Sequence, residues 1–220
     1  MALKAVLFDM DGVIVDTEPL HKKAYYQVFE DLKIEVTPEL YESFTGFSTR
    51  KVCTTLKNHF DLPLEVDEIS AQKRSYFKHY FDNDTEFDLL PGVRELFESY
   101  RQEGITLILA SSASMNTINW VLEKFEIGFY FKAKVSGDEL AESKPNPEIF
   151  NIAAQLSGKD KSECMVIEDS TNGILAAHRA GIFCAAYQSF HSKGQDYELA
   201  NIVVDDLRKL KPELLETYFK

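Results

Sequence analysis

The sequence predicts an α/β fold, a Rossmann-like doubly wound parallel sheet with a helical bundle inserted into it. Three observations lead there. Six short apolar, β-prone runs recur at residues 3–8, 105–110, 133–136, 165–167, 183–187 and 202–204, with helical patterns between the later ones, and such alternation builds parallel strands joined by crossover helices. Several of the runs stop abruptly at polar residues, and ligands sit at the carboxyl ends of strands in sheets of this kind. Between residues 16 and 87 the strand runs vanish and apolar and aromatic residues recur at helical spacing, punctuated by Pro38 and Pro63.

In chain order, residues 3–8 make the first strand, which breaks at Asp9-Met10-Asp11-Gly12. Carboxylates two positions apart point the same way from an extended segment. Like charges held together resist joint ionisation unless a cation or hydrogen bonds compensate, so the pair points to a site. Asp-x-Asp-Gly is equally ordinary turn chemistry. Residues 16–87 then read as a helical unit hung from the loop after this strand, leaving 1–15 and 88–220 as the α/β domain. Pro91-Gly92 opens a helix that Gly104 closes.

The run 105–110 ends in Ser111-Ser112-Ala113-Ser114, ahead of a helical pattern that begins near Met115. Hydroxyls and free amides there can cradle a phosphate, or Ser114 simply caps the helix. Lys144 stands before a helix opened by Pro145 and Pro147 and ended near Gly158; a lone lysine is ordinarily solvated. The run 165–167 ends in Glu168-Asp169-Ser170, followed by a helix containing Ala176, Ala177 and Ala180. Clustered hard oxygen ligands suit Mg²⁺, while helix capping by Asp169 or Ser170 is the structural alternative.

At 220 residues, with 45% apolar composition, the chain suffices for one good domain and a smaller one. Its 24 basic residues against 36 acidic ones leave a net charge of −12, which argues against nucleic acid and against an anionic membrane surface as partners. An anionic substrate must then be held by local cations, amides and metal. Cys53, Cys164 and Cys184 are odd in number and widely spaced, fitting neither a disulfide framework nor a zinc knuckle, and the expected compartment is the reducing cytoplasm. No secretory signal pattern and no membrane-spanning run is expected.

Together, the segments around Asp9, Ser111, Lys144 and Glu168-Asp169, in this order and spacing, resemble the four signatures of the haloacid dehalogenase superfamily. The helical stretch after the first strand resembles the cap of its subfamily I, in the branch of β-phosphoglucomutases and sugar phosphatases. The resemblance implies that Asp9 is the nucleophile forming an aspartyl phosphate, that Asp11 is the general acid and base, and that Ser111, Ser112 and Lys144 hold the phosphoryl oxygens. It further implies Mg²⁺ held by Asp9, the backbone carbonyl of Asp11, Glu168 and Asp169. The expected reaction is hydrolysis of a small phosphorylated metabolite, a sugar phosphate foremost, by a monomer.

Paired acids at Glu168-Asp169 and an acid two residues after the nucleophile serve metal binding and alkoxide protonation, which halide displacement does not need. A phosphomutase is the nearer alternative: Thr17, His21 and the segment 44–50 resemble the hinge and cap loop of β-phosphoglucomutases. The chain departs from that pattern where Thr45 replaces a lysine and the cap arginine is displaced to Arg50. A mutase must grip a second phosphate, so the loss favours plain hydrolysis. A non-catalytic binding module is the remaining alternative, opposed by the presence of every acid the chemistry needs.

Overall fold

The computed structural model describes residues 2–44, 48–189 and 194–219. The chain divides into two compact units, Met1–Asp16 with Asp88–Lys220, and Thr17–Phe87. After β1 (Ala5–Phe8) the chain turns tightly, the amides of Ile14 and Val15 both donating to Met10 O. Val15 pairs with Leu89, and Leu90 N donates to Ile14 O at 2.9 Å. The points where the chain leaves and re-enters the first unit are thus hydrogen-bonded neighbours, the geometry an insertion requires.

The Thr17–Phe87 unit contains α1 (Glu18–Leu32), α2 (Pro38–Glu42), α3 (Thr49–Phe60) and α4 (Val66–Asn83), and no strand among its described residues. Its helix starts follow local chemistry: Thr37 Oγ1 accepts from Leu40 N, Ser48 Oγ accepts from Lys51 N, and Glu65 forms a reciprocal capping box with Glu68. Tyr25, Val28 and Phe29 of α1, Val52 and Leu56 of α3 and Ile69 of α4 share one core. Thr45 and Phe47 lie outside the described residues.

The larger unit continues with α5 (Val93–Gln102), β2 (Thr106–Ser111), α6 (Met115–Lys124), β3 (Phe131–Ser136), α7 (Glu148–Ser157), β4 (Cys164–Glu168), α8 (Thr171–Ala180), β5 (Phe183–Tyr187), β6 (Ile202–Val204) and α9 (Pro212–Leu215). The strands form one sheet in the order β3-β2-β1-β4-β5-β6, and every neighbouring pair is parallel. The central strands β1 and β4 are buried along their whole length, which is why they read as unbroken apolar runs rather than alternating ones. Ala5, Leu7, Cys164 and Val166 share a core with Ile149 and Phe150 of α7 and Ile174 and Ala177 of α8. On the opposite face Phe8 meets Phe97 of α5 edge-on at 5.1 Å, and Phe97 meets Phe131 at 5.2 Å.

The strand boundaries differ from the sequence reading in one systematic way. β2 includes Ser111 and β4 includes Glu168, because the ladder continues through Ser111↔Ser136 and Glu168↔Ala186; backbone pairing is indifferent to the polarity at which the apolar run stops. β1 begins at Ala5, although Lys4 N already donates to Glu163 O and Lys4 O accepts from Thr106 N. Helix α7 starts at Glu148, later than its first proline, since Asn146 N bonds Ser143 O and Asn146 Oδ1 accepts from Glu148 N in a preceding turn. No helix among the described residues is long and apolar enough to cross a membrane.

Fully buried Tyr100 of α5 donates its hydroxyl to Leu210 O at 2.5 Å. Tyr100→Phe leaves that carbonyl without its donor and is expected to cost about 1–3 kcal/mol, read as a lower urea midpoint with unchanged m.

Candidate active site

The register of the three central strands decides what meets at their carboxyl ends. Phe8 pairs with Leu109 on one side and Ile167 on the other, so one residue further Asp9, Ala110 and Glu168 occupy the same level of the sheet. Lys144 reaches this level from the loop before α7. Its ammonium donates to Asp9 Oδ1, to Glu168 Oε1 at 2.7 Å and to Ala110 O at 3.1 Å, and lies 5.0 Å from the centre of the Phe150 ring. The side chains are nearly sealed from water, with exposures of 5% for Lys144, 9% for Asp9 and 1% for Glu168.

This burial reshapes the titration of the site. Burial works against the ammonium of Lys144, but the carboxylates of Asp9 and Glu168 outweigh it and raise the group above the usual lysine value. The Asp9 carboxyl is pushed well above the usual carboxylate range, first by burial; Lys144 opposes this, and the charges of Glu168, Asp169 and Asp11 reinforce it.

Glu168 is occupied on both oxygens. While Oε1 takes Lys144, Oε2 accepts from the amides of Asp169 and Ser170 and from the Ser170 hydroxyl, each at 2.9 Å. Ser170 in turn caps α8 through Gly173 N. Two glycines make room for the acids. A Cβ on Gly173 would lie 1.7 Å from Glu168 Oε1, and one on Gly12, whose φ is +84°, would lie 2.0 Å from Asp169 Oδ2. Any other residue at either place would collide with a carboxylate.

Ligand atoms of Asp9, Glu168 and Asp169 all lie within 4.8 Å of one another. Three hard oxygen donors at that spacing, two of them buried, suit Mg²⁺, and a divalent charge would offset the repulsion among them. The Asp11 carboxyl is not one of the three; Asp11 lies in the turn after β1 and bridges to Val15. Asp9 and Asp169, far apart in the chain, do converge.

Ser111 is 1% exposed at the end of β2, its Oγ accepting from Ala113 N at 3.1 Å. Ser136 Oγ donates to Ala113 O at 2.8 Å, which ties β3 to the same turn. Ser112 is exposed, and Ser114 caps α6 through Thr117 N. Ser114 thus takes the helix-capping role that the sequence offered for this turn.

Within the helical unit Thr17 is buried, and Arg50 forms an exposed ion pair with Asp67. His21 stacks on Phe77 with ring centres 4.3 Å apart. Its Nδ1 lies 2.5 Å from the ammonium of Lys73, a residue only 2% exposed. Burial, then the Lys73 charge, lower the imidazole well below its ordinary value, which leaves a neutral ring whose Nδ1 accepts from Lys73. Sequence reasoning missed Lys73, since a lysine in a helical run is normally solvated. It also assigned no role to Gly173, though a glycine in the first turn of a helix is a signal of close approach.

Two substitutions test this geometry. Lys144→Met leaves two buried acids without their cation and is expected to cost about 3–5 kcal/mol in denaturant unfolding at neutral pH. Gly173→Ala would gain about 1 kcal/mol of helix propensity on an open helix; here the displaced Glu168 is expected to make the net change destabilising by about 1–3 kcal/mol, and a stabilised variant would contradict the packing described.

A family model described as haloacid dehalogenase-like hydrolase matches residues 6–187. A phosphorylated carbohydrates phosphatase of Thermotoga maritima is 32% identical over 183 residues, 82% of this chain and 82% of its own. The crystal structure of CbbY from Rhodobacter sphaeroides in complex with phosphate superposes with a TM-score of 0.84 at 26% identity, covering 94% of this chain and 96% of that one. The β-phosphoglucomutase of Clostridium difficile superposes with a TM-score of 0.82 at 28% identity, covering 100% and 97%. The family match runs from β1 to the end of β5 and takes in every acid and the lysine gathered at the sheet edge: the chain belongs to the haloacid dehalogenase-like hydrolases, subfamily I.

Proposed function

We propose that this hydrolase cleaves small phosphate monoesters, sugar phosphates foremost, by transferring the phosphoryl group to Asp9. The observation that carries the reading is the meeting of Asp9, Glu168 and Asp169 with the Lys144 ammonium at the carboxyl ends of β1, β2 and β4. In the first step an Asp9 carboxylate oxygen bonds to phosphorus as the ester P–O bond breaks, and Asp11 gives its proton to the departing alkoxide. In the second, Asp11 takes a proton from water, whose oxygen attacks the aspartyl phosphate, releasing inorganic phosphate and restoring Asp9.

Lys144 offsets the charge of the phosphoryl oxygens, with Ser111 and the amides near Ser112 and Asp11 as further donors. Mg²⁺ held by the carboxylates of Asp9, Glu168 and Asp169 and the carbonyl of Asp11 would supply the positive charge that an anionic substrate needs at so acidic a site. The Thr17–Phe87 unit would correspond to the family's cap, with Thr17, His21, Thr45 and Arg50 as the candidates for substrate contact. The three buried thiols, Cys53, Cys164 and Cys184, suit a reducing cytoplasm.

A mutase is the second reading, favoured by the likeness to the Clostridium difficile β-phosphoglucomutase. Against it stand Thr45 in place of a lysine and the engagement of Arg50 with Asp67. Incubation with β-glucose 1-phosphate and the bisphosphate primer separates the two: inorganic phosphate marks the hydrolase, glucose 6-phosphate the mutase.

Asp9→Asn is expected to lower turnover of a phosphorylated sugar panel by about three orders of magnitude or more, as for other single nucleophile deletions, with the circular dichroism spectrum unchanged. Chelation by EDTA is expected to abolish phosphate release and added Mg²⁺ to restore it. Activity retained in Asp9→Asn would refute the nucleophile.

A further inference from the structure

Helix α8 begins directly after the acids of β4, and the N–H groups of a first helical turn have no partners within the helix. The amides of Asp169 and Ser170 go to Glu168 Oε2, and that of Gly173 goes to Ser170 Oγ. The amide of Thr171 is satisfied from outside the turn: it donates to Oε1 of Gln195 at 2.8 Å, across 24 positions of chain. The Thr171 hydroxyl donates to the same oxygen at 3.0 Å, and accepts in return from Asp196 N at 2.8 Å. The segment carrying Gln195 is itself anchored. Tyr197 and Ala200 pack on the core under α7 and α8, and Asn201 Oδ1 accepts from Cys184 N at 2.8 Å while Asn201 N donates to Cys184 O at 2.9 Å.

We infer that Gln195 is a positioning residue for the acid turn, acting through Thr171 to hold Asp169 in place for a divalent cation. The clearance around Asp169 is what gives a remote cap this influence. Its carboxylate sits where a Cβ on Gly12 would come within 2.0 Å, two residues before Thr171, so it has little room to follow a shift of the turn. With Gln195 gone, water takes over the Thr171 amide; it satisfies the donor but sets no direction. The loss then falls on metal affinity more than on folding, as for partners that orient metal ligands from behind.

The inference rests on the Mg²⁺ reading above, and its test reads binding directly. Mn²⁺ is titrated into the full chain and the free ion followed by electron paramagnetic resonance, for the unaltered protein, Gln195→Met and Gln195→Glu. Methionine keeps the length of the side chain and removes the acceptor; glutamate keeps an acceptor oxygen at the same place. The expected result is a Kd about tenfold higher for Gln195→Met and within about twofold of the unaltered protein for Gln195→Glu. The Mg²⁺ concentration for half-maximal turnover should rise in parallel in Gln195→Met while substrate KM at saturating Mg²⁺ stays put. Both variants are first shown to be folded by circular dichroism.

An unchanged Kd in folded Gln195→Met overturns the inference alone, as does a Gln195→Glu variant no better than Gln195→Met. An unaltered protein that binds no Mn²⁺ overturns the metal reading first and this inference with it.

Discussion

One ammonium makes the rest of the site tenable. Asp9 and Glu168 sit side by side at the end of two paired strands, both nearly sealed from water, an arrangement that two carboxylates alone would resist by keeping a proton between them. Lys144 answers with three bonds, to each acid and to Ala110 O. Such a buried ionic cluster is poor evidence of stability; the apolar core beneath it holds the fold. The acid count still exceeds the cation count, since Asp169 joins the same group. Under the proposed phosphatase reading, a divalent cation would offset that surplus.

The geometry follows from the parallel sheet. Parallel pairing sends the ends of β2, β1 and β4 to the same edge, and the crossover helices return the chain to begin each strand at the far side. Side chains meet at that edge with little clearance: Gly12 lies under Asp169 and Gly173 against Glu168. Glu168 uses one oxygen for the lysine and the other for the turn that leads into α8. It therefore couples the placement of the cation to the placement of the next acid, and a change at either would be felt at both.

The helical unit handles a buried cation differently. Lys73 lies against the His21 imidazole, with the rings of Tyr25 and Phe77 about 5 Å from its ammonium. Burial first, and then the Lys73 charge, works against protonating His21. Two lysines that look alike in the sequence are thus placed in opposite surroundings, one among acids and one among rings.

Much of the fold was legible before any coordinates. Buried parallel strands read as continuous apolar runs, and Gly92 and Gly158 mark helix ends through left-handed backbone that other residues avoid. Asp9, Ser111 and the Glu168-Asp169 pair stood out because polar residues at the end of an apolar run ask for a reason, whereas Lys144 stood out only through the family resemblance. The double duty of Glu168, the fit of Gly173 against it, the His21–Lys73 pair and the reach of Gln195 to Thr171 did not stand out, since each depends on a partner distant in the chain. By itself the sequence determined where the buried strands run, to within a few residues, because local hydrophobic patterning marks their interiors. Only the tertiary structure decided which acid faces which cation, because that depends on the register between strands more than a hundred residues apart, settled by packing and backbone pairing rather than by any local signal.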